Sequence, residues 1–338
     1  MQPLRFAVIG TGFWANYQVA AWHELQDVEL AAVCDLNRFS AEAMAHKFGI
    51  TKVYTNAVEL LAAEKLDFVD IITDVNTHAS FTLKAAEKGV NIICQKPTAS
   101  SLPAAKEMLD ACKTNNVQLF IHENFRWQAP IRAVKEKLAS GVIGNPFKAT
   151  VSFCSAFHVY DNQPFLAETE HFILTDIGSH VFDVCRFLFG EAESIYCITK
   201  RVNEKIRGED VANGLMQMKS GLHCIVQLSY ASILEQESFP QTLILIEGEY
   251  GSIHLTNDFE LKIILQKQTT SAIVQPKMYS WVDPDYAVVH SSIVDCNRDI
   301  LNGLKGGHSE TTGEDNFKTV QLVWAAYESA ASKKIIFF

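Results

Sequence analysis

A chain of 338 residues, 48% hydrophobic and with a formal net charge of −10, reads as a soluble globular protein of two ordinary domains. The negative balance, with no Lys/Arg run beyond Lys333-Lys334, argues against a nucleic-acid or anionic-membrane partner, since either needs a basic patch. The eight cysteines include no C-x-x-C pair, and no apolar span reaches transmembrane length or resembles a leader, so the expectation is buried free thiols in a cytoplasmic protein.

In chain order, short apolar runs alternate with helical patterns up to about residue 121. Strands are expected at 4–9, 28–34, 67–73, 90–94 and 117–121, and helices at 14–25, 39–48, 56–64, 78–88 and 101–115. Gly49 and Gly89 stand where helices end, and Ser101 with Pro103 where one begins. This alternation predicts an α/β fold with a doubly wound parallel sheet. A helix at 129–140 follows. Runs at 146–157, 193–201, 211–219, 222–230, 241–247, 250–255 and 259–266, broken by hairpin-like turns, predict a large, mostly antiparallel sheet. Helices return at 176–188, 288–303 and 314–331. The division expected is a dinucleotide-binding domain over 1–122 and an α+β domain for substrate and oligomerisation over 123–338.

The first strand runs into Gly10-Thr11-Gly12-Phe13-Trp14-Ala15, a G-x-G-x-x-A turn that opens a helix. Gly10 allows the tight turn, Gly12 lets a pyrophosphate approach the backbone, and Ala15 lets helix and strand pack closely. Phe13 and Trp14 lie in the same turn, and Trp14 is placed to cover the nicotinamide side. Asp35 ends the second strand, 25 residues after Gly10, where an acid takes the adenosine ribose hydroxyls. That acid favours NAD over NADP, while Arg38 beside it softens the preference. Taken alone, the turn is weak evidence, and Asp35 also suits an ordinary strand-ending turn.

Two stretches stand at the carboxyl ends of predicted parallel strands, where doubly wound sheets bind ligands. One is Thr73-Asp74-Val75-Asn76-Thr77-His78, with Thr77 a candidate cap for a helix beginning at His78. The other is Cys94-Gln95-Lys96-Pro97. Lys96 reads equally as a crevice lysine or a solvated lysine in a turn. A third stretch, Thr175 to Asp183, opens a helix on which Asp176 and His180, four apart, share a face, with Asp183 beside His180. A carboxylate next to an imidazole raises its basicity, and the bland alternative is a helix-end acid with a surface histidine. Arg126 follows a strand. His158, Tyr160, Asp161 and Gln163 lie in a loop suited to gripping sugar hydroxyls. Glu209-Asp210 and Glu314-Asp315 read as solvated ends, and no cluster has metal-ligand spacing.

Taken together, GTGFWA, Asp35, Asn76 with His78, QKP, ENFRW at 123–127 and D-I-G-S-H-V-F-D resemble the Gfo/Idh/MocA oxidoreductases over nearly the whole length. The QKP form and the HENFRWQ string resemble a sugar-oxidising subset that includes D-apiose dehydrogenases. The resemblance implies a Rossmann domain followed by a domain with a large open sheet that forms a homodimer or homotetramer. It implies NAD as cofactor and a sugar or polyol as substrate. It puts the catalytic lysine on Lys96, the Asp/His pair on Asp176 and His180, and a substrate-contacting acid on Asp183, with a cis Lys96–Pro97 bond. Cofactor contacts fall on Gly10, Gly12, Phe13, Trp14, Asp35, Arg38, Thr73, Asn76, His78, Gln95 and Lys96. Substrate contacts fall on Lys96, Arg126, His158, Tyr160, Gln163, Asp176, His180 and Asp183. The family usually has Glu-Lys-Pro, and Gln95 departs from it. Two rival readings are a dinucleotide-binding sensor without turnover and a glycosidase that uses NAD transiently.

Overall fold

A computed structural model describes residues 2–161 and 163–338. By internal contacts the chain divides into two compact units. The first runs through Asn124 and takes in Tyr279–Asp283 and His290–Val320; the second holds Phe125–Met278, Pro284–Val289 and Gln321–Phe338.

In the first unit the elements are β1 (Leu4–Ile9), α1 (Ala15–His23), β2 (Val28–Cys34), α2 (Arg38–Phe48), β3 (Val53–Tyr54), α3 (Ala57–Ala63), β4 (Phe68–Ile71), α4 (Val75–Glu87), β5 (Asn91–Gln95), α5 (Leu102–Thr114) and β6 (Leu119–His122). The six strands are parallel in the order β3-β2-β1-β4-β5-β6, so the winding reverses between β1 and β4. Strands covered on both faces need near-continuous apolar runs, and β1, β4 and β5 have them. The helix ends follow local chemistry. Asn37 accepts from the N–H groups of Phe39 and Ser40, Ser101 from that of Ala104, and Gly49 closes α2 at φ +70°. The strand β3 was not expected: it is only two residues long and carries no periodic signal. One expected boundary shifts. The helix α4 starts at Val75, because Asp74, rather than Thr77, accepts from the Asn76 N–H as cap.

The second unit begins with α6 (Ala129–Ala139), β7 (Pro146–Cys154), α7 (Ile177–Phe189), β8 (Ala192–Lys200), β9 (Val211–Met218), β10 (His223–Ser229), β11 (Leu243–Gly248), β12 (Gly251–Leu255), β13 (Glu260–Leu265) and β14 (Gln268–Ile273). The chain continues through α8 (Ala287–Leu304) and α9 (Gly313–Ser332) to β15 (Ile336–Phe337). The nine strands run β14-β13-β12-β11-β7-β10-β9-β8-β15. All neighbours are antiparallel except β7 and β10. Period-two burial supplies the core: Ala149, Val151 and Phe153 on β7 point the same way as Cys224, Val226 and Leu228 on β10. The helix α7 packs on β7 and β10. The strand β14 (QTTSAI) was not legible as a strand: all six of its residues are exposed, so it has no hydrophobic alternation, and pairing with β13 alone makes it one.

Candidate active site

The glycine turn is built as its sequence demands. Gly10 sits at φ +97°, and a Cβ there would lie 2.3 Å from the carbonyl oxygen of Ile72, so both conformation and close approach to β4 require glycine. Gly12 differs: a Cβ on it would meet nothing within 4 Å. That open space lies before the first turn of α1, which carries neither an acidic side chain nor a side-chain cap. The arrangement fits a dinucleotide pyrophosphate, which would use the space at Gly12 and the positive end of α1.

Asp35 is tied to the same turn. Its Oδ2 accepts from the Thr11 N–H at 2.7 Å and the Thr11 hydroxyl at 3.0 Å, and its Oδ1 from the Asn37 N–H at 2.8 Å. The carboxylate is thereby held rigidly at the end of β2. Arg38 is exposed and pairs with Glu42 at 2.7 Å. Phe13 is half-exposed, edge-on to Tyr17 at 5.4 Å. Trp14 packs beside Tyr17 and His290, and these two stack at 3.9 Å. Burial pushes the His290 imidazole down to about 4, and its Nδ1 accepts from the Asp283 N–H. Trp14 therefore sits against a segment from far along the chain, a partnership that local sequence does not reveal.

At the end of β5 the Lys96–Pro97 bond is cis, as the resemblance implied. His78, expected at the cofactor, is 1% exposed and braces this turn. The carbonyl oxygens of Pro97 and Thr98 face its Nδ1 at 3.0 and 3.3 Å, and that of Thr73 faces its Nε2 at 3.1 Å. Burial pushes its pKa down. Thr73 accepts from the Thr77 hydroxyl at 2.7 Å, and Asn76 is exposed and donates to Asp74 at 2.8 Å. Gln95 is buried: its Oε1 accepts from the Lys96 N–H at 2.7 Å and its Nε2 donates to Gln18 at 2.7 Å. Behind Gln18 stands Asp70, which accepts from Gln18 and Trp22. Asp70, Gln18 and Trp22 were missed by the sequence reading. The available signal was a lone acid inside the apolar run 68–72.

In the second unit, Asp176 is the residue before α7 rather than part of it, and its Oδ2 accepts from the Tyr230 hydroxyl at 3.1 Å. Burial and the Asp176 charge push the Tyr230 phenol well up, so it stays a donor. His180 lies in the first turn of α7, 5% exposed, stacked on Phe125 at 3.8 Å and 9°. This stacking fixes the plane of the imidazole.

Arg126 and Asp183, expected as substrate contacts, form a buried ion pair. Nε and one terminal nitrogen of Arg126 donate to the two carboxylate oxygens at 2.7 and 2.6 Å, and Arg186 lies 3.8 Å from the same carboxylate. The pair joins the segment before α6 to the middle of α7. In the loop, His158 is exposed, Gln163 precedes a short 3-10 turn at Pro164–Glu168, and Tyr160 lies 5.5 Å from Phe172. The Tyr160 hydroxyl is enclosed and has no hydrogen-bond partner among the described residues. Burial and the charges of Asp210 and Asp176 push its pKa up. Glu209 and Asp210 are not solvated ends. Asp210 accepts from the N–H groups of Val202 and Asn203, and Glu209 from those of Phe172 and Leu174 and from the Tyr327 hydroxyl.

A doubly wound parallel sheet with an open glycine turn and an acid at the end of β2 defines a dinucleotide-binding fold. Residues 4–123 match the oxidoreductase family with an NAD-binding Rossmann fold, and residues 131–254 match the GFO/IDH/MocA C-terminal domain. The chain belongs to the Gfo/Idh/MocA family. It is 42% identical over 337 residues to a D-apiose dehydrogenase of Rhizobium rhizogenes, covering 99% of this chain and 98% of the relative. It is 41% identical over 331 residues to one of Paraburkholderia graminis, covering 98% and 88%. A crystal structure of an oxidoreductase from Agrobacterium radiobacter in complex with NAD+, L-tartaric acid and magnesium superposes with a TM-score of 0.97 at 41% identity, covering 99% of this chain and 98% of the other. Among the described residues no helix is long and apolar enough to cross a membrane.

Proposed function

We propose that this protein oxidises D-apiose, or a sugar of the same size, at a ring carbinol with NAD+. The observation that carries the reading is near-full-length similarity to two D-apiose dehydrogenases, in a chain that retains Lys96, Asp176 and His180. When bound, NAD+ accepts a hydride at C4 of its nicotinamide. In the proposed reaction, His180 takes the proton of the substrate hydroxyl while the carbon gives up its hydrogen with both electrons. Stacking on Phe125 limits the imidazole to one plane, so that its ring nitrogens are oriented before substrate arrives. Asp176, held by Tyr230, favours the imidazolium that results. Lys96 stabilises negative charge on the substrate oxygen. Asp35 holds the adenosine ribose and Gly12 admits the pyrophosphate. At an anomeric carbon the product is the lactone.

Tyr196, Ile198 and Leu215 are exposed on neighbouring strands β8 and β9, and this supports a homodimer or homotetramer formed through the sheet. Eight cysteines that form no disulfide among the described residues support a reducing, cytoplasmic setting. The test is NADH formation with a panel of D-apiose, D-glucose and myo-inositol. Turnover fastest with D-apiose is expected. NAD+ binding with no turnover on any sugar would overturn the reading in favour of a sensor. Cleavage of a nitrophenyl glycoside with no net NADH would overturn it in favour of a glycosidase.

A further inference from the structure

Asp70 is a carboxylate in the middle of a parallel strand, wholly buried between apolar neighbours. Such a group is costly unless donors surround it. Trp22 Nε1 donates to its Oδ2 at 2.8 Å, and Gln18 Nε2 lies 2.8 and 2.9 Å from its two oxygens. Gln18 Oε1 then accepts from Gln95 Nε2 at 2.7 Å, and Gln95 Oε1 accepts from the Lys96 N–H at 2.7 Å. Gln18 is 0% exposed and Gln95 8%. Three buried side chains thus link the centre of β4 to the backbone of the lysine turn.

The direction of this chain is set from the Lys96 end. The Lys96 N–H only donates, so Gln95 must turn its oxygen toward it and offer its NH2 group to Gln18. Gln18 then accepts with its oxygen and turns its NH2 group toward Asp70. Above about pH 7 Asp70 is a carboxylate, which only accepts, and it agrees with that orientation.

We propose that Asp70 and Gln18 are positioning residues for the reaction, holding the Lys96 backbone through Gln95, and that the single carboxylate at Asp70 is what makes position 95 an amide. The proposal rests on the reading of Lys96 as the group that stabilises the substrate oxygen. In Gln95→Glu, a second carboxylate faces the Gln18 oxygen, acceptor against acceptor. If Gln18 turns over to serve it, its oxygen then faces Asp70. In Asp70→Asn, the Gln18 and Trp22 donors meet an amide in place of a pure acceptor. The double variant is different. The amide introduced at position 70 accepts from Trp22 and donates to Gln18. Gln18 in turn donates to the carboxylate introduced at position 95, and that carboxylate accepts from the Lys96 N–H. Every group is satisfied again, with the direction of the middle bonds reversed.

The experiment compares the full-length protein with Asp70→Asn, Gln95→Glu and the double variant. It reads kcat with the best sugar, KM for NAD+, and the exchange protection of the Lys96 backbone amide. Each single change is expected to lower kcat roughly 5- to 100-fold, the effect of one unsatisfied buried polar group, and to lower amide protection. The double variant is expected to recover most of both. Gln18→Met, which cuts the chain without adding charge, is expected to lower kcat and amide protection with KM for NAD+ little changed, and it serves if a single variant fails to fold. A double variant that loses the product of the two single losses overturns the proposal. So does a Lys96 amide equally protected in all variants. Full turnover by Lys96→Met overturns the catalytic reading instead, and the amide measurement, which needs no turnover, tells the two failures apart.

Discussion

Breaking the Arg126–Asp183 pair is expected to damage the fold more than substrate recognition. Asp183 is wholly buried and Arg126 is 5% exposed, and two short guanidinium–carboxylate bonds join them. Removing one member of a buried pair costs ~3–5 kcal/mol, mainly because the other charge stays behind in a medium that solvates it poorly. The two halves differ here. In Arg126→Met, Asp183 keeps Arg186 at 3.8 Å, so the loss should fall near the low end, ~3 kcal/mol. In Asp183→Asn, Arg186 still has Glu191 at 2.9 Å, but Arg126 loses its carboxylate, which puts the loss near ~5 kcal/mol. The double variant should lose clearly less than the sum, because neither buried charge is stranded. Urea unfolding followed by far-UV circular dichroism gives the stabilities, and steady-state kinetics gives KM for the sugar. A loss under ~1 kcal/mol in Arg126→Met, together with a KM raised by ~10²-fold or more, would show that the pair faces substrate and that the structural reasoning is wrong.

Other outcomes follow from single contacts. Gly10→Ala should destabilise by ~1–3 kcal/mol through its positive φ and the approach to Ile72. Gly12→Ala should leave the melting temperature alone and weaken NAD+ binding, so equal effects on stability would refute the distinction. Asp35→Ser should narrow the preference for NAD over NADP, because a 2′-phosphate ~4 Å from a carboxylate is opposed by ~1–4 kcal/mol; an unchanged ratio of kcat/KM values would remove Asp35 from cofactor choice. Lys96→Met and His180→Ala should each lower kcat by ~10²–10⁴-fold with NAD+ affinity kept, and the double variant should lose much less than the product; near-normal turnover by His180→Ala would exclude it as the base. Burial raises the Asp70 carboxyl to about 7, whereas an unfolded chain releases that proton near pH ~3.9. Between these values the folded state holds a proton that the unfolded state has lost, so stability falls as pH rises across the window, by roughly 4 kcal/mol at most, and levels off above it. Asp70→Asn should flatten this slope in a pH series of melting curves, and an undiminished slope would assign it to another group.

What the sequence determined by itself was local. The strand, glycine turn and helix at residues 4–23, the acid at Asp35, and the caps at Gly49 and Ser101 each depend on residues a few positions apart, and the structure has them as read. The alternation of elements likewise sufficed for a doubly wound sheet, because right-handed crossovers and burial on both faces leave few other arrangements. Tertiary structure decided the partners. Gln18 meets Asp70 across 52 residues and Gln95 across 77, and Arg126 meets Asp183 across 57. Nothing periodic connects such positions, so no spacing rule links them. Asp183 beside His180 on one helix suggested a substrate-contacting acid, and only packing brought Arg126 to neutralise it. The same holds for Glu209 and Asp210, whose charges looked solvated until distant backbone N–H groups and Tyr327 were folded against them. A buried polar group must find its donors wherever the fold brings them, and that search is settled by the packing of the whole chain rather than by its neighbours in sequence.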